Sequence, residues 1–145
     1  MSVAAERRKG GSILSKYQKS FDNSISILLS SKKGLKADAV FDFIFLSELS
    51  SGQVEQVLSK TMKTFNTYKE KKTTLDPVVS EKLLKLFALY NKGAAIFGSI
   101  HEFNKWMSEP AFGLGDQVPQ QLLDTITGIE LVAEELSRIE YGALA

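Results

Sequence analysis

The chain has 145 residues, 43% of them hydrophobic and 24% charged, enough for about one domain with a core of its own. It has no cysteine and a single histidine, His101, which excludes disulfides, thiolate-bound metals, iron–sulfur clusters, thiol catalysis and any multi-histidine centre. Eighteen basic side chains against seventeen acidic ones leave a net charge of +1, which taken whole argues against a nucleic-acid or membrane partner.

Residues 1–12 read as a frayed basic arm, with Arg7-Arg8-Lys9 running into Gly10-Gly11. No apolar run of signal-peptide length follows, and none approaches the ~20 residues of a membrane span, so a cytoplasmic protein is expected. Ile13, Tyr17, Phe21, Ser24 and Leu28 recur at near-helical steps and predict a serine-weakened helix over 13–29. Lys32-Lys33-Gly34 reads as a turn. Val40, Phe41, Ile44, Phe45 and Leu49 mark the apolar face of a helix over 38–49. Ser51-Gly52 breaks the chain before a short helix over 53–58, with Val54, Val57 and Leu58 inward, and a polar helix over 62–71 follows a brief connection.

Asp76 is a good N-cap and Pro77 suits a first helical position, where its missing N–H costs nothing. Val79, Leu83, Leu86, Phe87, Tyr90, Ala94 and Phe97 then form one long apolar stripe that Gly98 stops. Ser99 is read as the cap of a helix with Ile100, Phe103, Trp106 and Met107 inward, ended by Pro110. A loop containing Gly113 and Gly115 leads to a short helix at Pro119 carrying Leu122 and Leu123. The last helix is predicted to open on a capping box of Thr127 and Glu130, with Ile129, Val132, Ala133, Leu136 and Ile139 inward and Gly142 as its stop. No segment alternates with period two, so the fold class is all-α, seven or eight helices without internal repeat.

Little in this pattern resembles catalysis. His101 lies on a polar helix edge with no nucleophile or carboxylate constellation near it in sequence, so a solvated side chain is the better reading. Glu130, Glu134 and Glu135 share a helix but lack the Glu-x-x-His partners of a di-metal bundle, and read as solvent-facing charge. Gly113-x-Gly115 follows no strand and reads as a tight turn rather than a phosphate loop. Phe103 and Trp106 read as core. No catalytic residue, metal or cofactor is expected.

The balanced charge conceals two unlike halves. Residues 1–72 hold 13 basic and 7 acidic side chains; residues 73–145 hold 5 and 10. Within the basic half, residues 36–74 follow the order of a helix-turn-helix unit, whose later helix enters the major groove. Lys60, Lys63, Thr64, Asn66, Thr67, Tyr68 and Lys69 are its candidate DNA contacts, Asn66 being suited to an adenine edge. The same lysine–threonine pattern also describes an ordinary exposed helix.

A longer constellation lies downstream. Phe97-Gly98, Phe103-Asn104-Lys105-Trp106-Met107, Pro110, Phe112-Gly113-Leu114-Gly115, Pro119, Leu122-Leu123-Asp124-Thr125, Gly128-Ile129, Val132, Glu135-Leu136 and Arg138-Ile139-Glu140-Tyr141-Gly142 follow in that order. Over about residues 75–145 this resembles the toxin-binding domain of the Xre/MbcA/ParS antitoxins. Upstream, Lys63-Thr64-Phe65, Leu75 and Ser80-Glu81-Lys82-Leu83 resemble that family's Xre-like helix-turn-helix half. One departure is that family members often carry arginine at positions 63, 67 and 82. Lysine keeps the charge without arginine's bidentate fork, and Thr67 has neither.

The resemblance implies three parts: a basic arm and weak helix over 1–35, a DNA-binding region over 36–74, and a toxin-binding domain over 75–145. It implies an antitoxin without catalytic activity or cofactor, partnered by a RES-domain toxin that degrades NAD or uses it for ADP-ribosylation. The toxin-facing residues would be Glu134, Arg138, Glu140, Tyr141, Gly142, Ala143, Leu144 and Ala145, covering the NAD pocket. A homodimer and autorepression through operator DNA are further expectations. The alternative is a stand-alone helix-turn-helix regulator whose C-terminal domain only dimerises.

Overall fold

The structure is a computed structural model and describes residues 3–142. Eight α-helices and two 3-10 turns make up the regular structure, with no strand among the described residues. The chain divides into two compact units, Met1–Ala88 and Leu89–Ala145. The division falls inside the long helix rather than at residue 74. Asp76-Pro77 is the stronger sequence boundary, but the apolar stripe of that helix supplies both units.

In the first unit, α1 (Val3–Phe21) includes residues 3–12 of the stretch read as a frayed arm, whose residues 1 and 2 lie outside the described residues. Ile13, Leu14, Tyr17 and Phe21 bury the helix. The Lys9 ammonium lies 4.1 Å from the centroid of the Phe45 ring, a cation–π contact that holds the arm down. Expected as one helix, residues 13–29 are interrupted at Asn23, whose side chain accepts the Ser26 N–H at 2.9 Å and caps α2 (Ser24–Lys33).

Helix α3 (Asp38–Ser47) buries Ala39, Val40, Phe43 and Leu46, while Phe41, Ile44 and Phe45 are only half-buried. The expected face is therefore rotated. A helix apolar almost all round gives periodicity little to discriminate. Helix α4 (Ser51–Leu58) starts two residues earlier than read, because Ser50 and Gln53 form a reciprocal capping box. Helix α5 (Met62–Lys71) is capped by Thr61 and buries Phe65 completely.

Helix α6 (Pro77–Phe97) has the predicted start and stop: the Val79 N–H donates to Asp76 Oδ1 at 2.9 Å, and Gly98 turns the chain at φ +92°. Its first half places Leu83, Leu84 and Phe87 in the first unit's core. Phe87 stacks on Tyr17 with centroids 4.3 Å apart and meets Phe43 edge-on.

The second unit is built on the rest of α6, α7 (Ile100–Met107), the 3-10 turns Phe112–Leu114 and Pro119–Leu122, and α8 (Ile126–Glu140). Phe103 meets Tyr90 edge-on and contacts Phe97 and Trp106. The cap of α8 is Thr125, accepting the Gly128 N–H at 3.0 Å, not Thr127. Thr125 is extended and lies before Ile126, so Ile126 and Thr127 both join the helix.

A partly buried network in the first unit gives a pH-dependent prediction. Tyr17 donates to Asp42 at 2.5 Å, and Lys16 pairs with the same carboxylate at 3.0 Å. Burial, then the bond to Asp42 and its charge, push the Tyr17 hydroxyl well above its ordinary range. With the folded value raised, this contribution is intact below about pH 10, the unfolded tyrosine value. It is lost as pH rises beyond that. Tyr17→Phe should cost about 1–2 kcal/mol at neutral pH and flatten the alkaline decline, as measured by thermal melts across that range.

Candidate functional site

Two surfaces carry the side chains singled out in the sequence, one in each unit. In the first unit, the α4–α5 connection is short because each residue in it has a structural task. Ser59 adopts a left-handed conformation, Thr61 caps α5 by accepting the Thr64 N–H at 3.2 Å, and Glu55 of α4 accepts the Met62 N–H at 2.7 Å. Phe65 turns inward, which leaves Lys63, Asn66 and Thr67, at helical spacing, on the outward side of α5.

The seven candidate DNA contacts do not form one cluster. Lys60 pairs with Asp76 at 3.5 Å. Thr64 shares a hydroxyl contact of 3.1 Å with Thr61, and Thr67 donates to the Lys63 carbonyl at 3.0 Å. Tyr68 and Lys69 face another direction, lining a recess of about 410 Å³ with Lys36, Lys72, Thr73 and Thr74. Three lysines there outnumber the one carboxylate, Asp38, and Lys69 also sits 4.7 Å from the centroid of Phe41. Lys36 escaped notice because it lies 36 residues before Lys72 in sequence. An antiparallel bridge between Lys36 and Thr74 brings them together.

In the second unit, α8 presents Glu134, Arg138 and Glu140 to solvent, and Tyr141 is 85% exposed at its end. Gly142 has φ +81°, while Ala143, Leu144 and Ala145 lie outside the described residues. Glu135, read as solvent-facing, is instead buried and accepts from Arg138 Nε at 2.8 Å. The reason is a close approach. A Cβ at Gly113 would fall 1.7 Å from Glu135 Oε2, so the glycine lets the loop backbone lie directly against the carboxylate.

Phe112, named in the sequence only as one of the landmarks and given no role of its own, is 92% exposed on that loop. Beside it is a recess of about 380 Å³ lined by Trp106, Pro110, Glu135, Arg138 and Ile139. The available signal was a large aromatic side chain between small residues, outside any helical stripe. His101 is exposed, and among the described residues no three acidic or histidine side chains converge as a metal site would require. No described helix is long and apolar enough to cross a membrane.

Comparison with known proteins bears on the second surface most directly. Residues 92–142 match the family model of the antitoxin Xre/MbcA/ParS C-terminal toxin-binding domain. That span begins just inside the second unit. A relative described as "Antitoxin Xre", from Yersinia enterocolitica serotype O:8 / biotype 1B (strain NCTC 13174 / 8081), is 22% identical over 115 residues. The alignment covers 79% of this chain and 78% of the relative.

Proposed function

We propose that this chain is an Xre/MbcA/ParS-type antitoxin that acts through a cognate toxin rather than by catalysis, that the toxin is a RES-domain enzyme acting on NAD, and that the second unit neutralises it by covering its active site. The observation that carries this reading is the coincidence of the toxin-binding match with one compact unit of the chain. Charge supports it. Residues 92–142 carry eight acidic and three basic side chains, a balance suited to a cleft that takes an anionic dinucleotide. Glu134, Arg138, Glu140 and Tyr141, with residues 142–145, are the proposed contacts. Expression of the adjacent gene alone should arrest growth, and co-expression of this chain should restore it and yield a co-purifying complex. A harmless neighbour, or one that does not co-purify, would remove the reading.

The second role is autorepression by the first unit. Its support is the tight α4–α5 arrangement, outward Lys63 and Asn66, and the basic recess at Tyr68 and Lys69. Phosphate contacts of this kind release counterions, so binding should fall steeply with salt. Lys63→Glu and Lys69→Glu should each weaken the shift of the gene's own upstream DNA, with a salt dependence shallower by about one per lost contact. An unchanged shift would exclude these contacts. Self-association belongs to the same proposal, and Ile25, Leu28 and Leu29 of α2, all exposed, supply apolar surface for it.

A further inference from the structure

We propose that Phe112 is the anchor by which the second unit seats on its toxin, entering an apolar socket whose rim is basic. The inference rests on the antitoxin reading above and names the contact that reading leaves open. Its first support is the contrast between an exposed ring and a tightly built loop. The Ala111 N–H donates to the Gln117 carbonyl at 3.0 Å, and the Gly115 and Asp116 N–H groups return to the carbonyls of Phe112 and Ala111 at 3.1 and 3.0 Å. Ala111 and Leu114, on either side of Phe112 and Gly113, are buried. Below, Gly113 rests against the Glu135 carboxylate with no room for a Cβ.

A single exposed apolar side chain is ordinary on a protein surface. This one differs because its backbone is already fixed, so binding would immobilise little beyond two side-chain torsions. It also adjoins the recess of Trp106, Pro110 and Ile139, so knob and hollow form one apolar surface. Charge selects the occupant. Glu109 and Asp116 flank the loop, and Glu134 and Glu140 stand exposed on α8, which favours a partner surface with a positive rim. Glu135 holds Arg138 at the edge of the recess, where its guanidinium can meet a carbonyl or carboxylate of the partner.

The test uses the full-length chain and the purified protein encoded by the adjacent gene, with affinity measured by calorimetry. Phe112→Ala should weaken binding at least about thirtyfold, as truncation of a buried aromatic anchor does. Phe112→Glu should weaken it further, whereas Phe112→Leu should retain part of the affinity. Val78→Ala, at a 77% exposed position in the first unit, should leave affinity unchanged. Melting temperatures of the Phe112 variants should match wild type. Wild-type binding with Phe112→Ala within twofold of it overturns the anchor and leaves the antitoxin reading standing. Loss of binding accompanied by a lowered melting temperature overturns the anchor in favour of a structural role. No binding by the wild-type chain overturns both.

Discussion

Gly128→Ala is expected to abolish toxin binding and to destabilise the second unit by about 3 kcal/mol or more. A Cβ at this position would lie 1.7 Å from the Leu122 carbonyl oxygen and 3.1 Å from Thr125 Oγ1. The first of these atoms is backbone in the Pro119–Leu122 turn, which cannot swing aside as a long side chain could. Accommodating the methyl group means displacing the start of α8, and with it the Thr125 cap bonded to the Gly128 N–H. The proposed contacts from Glu134 to Tyr141 lie about two to four turns beyond Gly128, so a shift at the base of the helix carries to Arg138 and Tyr141. Gly11→Ala is the informative contrast. Its Cβ would meet nothing within 4 Å in the interior of α1, so the substitution should stabilise the protein by up to about 1 kcal/mol. Thermal unfolding and co-purification of both variants with the toxin check the pair.

Phe65→Ala should have a comparable energetic effect with the opposite functional consequence. The ring is completely buried on the inner side of α5, and truncating such a side chain typically costs about 3–5 kcal/mol. That is a large share of a total stability of about 5–15 kcal/mol. Phe65 fixes the rotation of α5 and hence the direction of Lys63 and Asn66. DNA binding should therefore fall by well over tenfold, while toxin binding through α8 should persist at temperatures where the variant remains folded. Mobility shift and toxin co-purification on the same preparation separate the two effects. Equal loss of both activities would contradict independent roles for the two units.

Much of the helical framework was legible because its ends carry specific chemistry. Asp76-Pro77 and Gly98 delimit α6, and Ser99 caps α7. The inward set Val54, Val57 and Leu58 is also the buried set of α4. What the pattern concealed depends on contacts distant in sequence. The arm at Arg8-Lys9-Gly10-Gly11 has poor helical propensity, and its tether to Phe45 lies 36 residues away. The break at Asn23 was masked because Ser24 and Leu28 continue the apparent periodicity of α1.

Thr127 with Glu130 satisfied a capping box on paper, yet Thr125 occupies the cap because Gly128 must lie against Leu122. The site divides in the same way. The order of aromatic, glycine, proline and leucine landmarks spans the residues that match the toxin-binding domain model. Burial of Glu135 and exposure of Phe112 follow from the approach of the Gly113 loop to α8, which no periodicity encodes.

The central claim is tested most directly by NAD turnover of the adjacent gene's product while the full-length chain is titrated in. The account predicts that turnover falls to background as the complex saturates. Undiminished turnover in a fully formed complex would contradict it, because the active site would then be open.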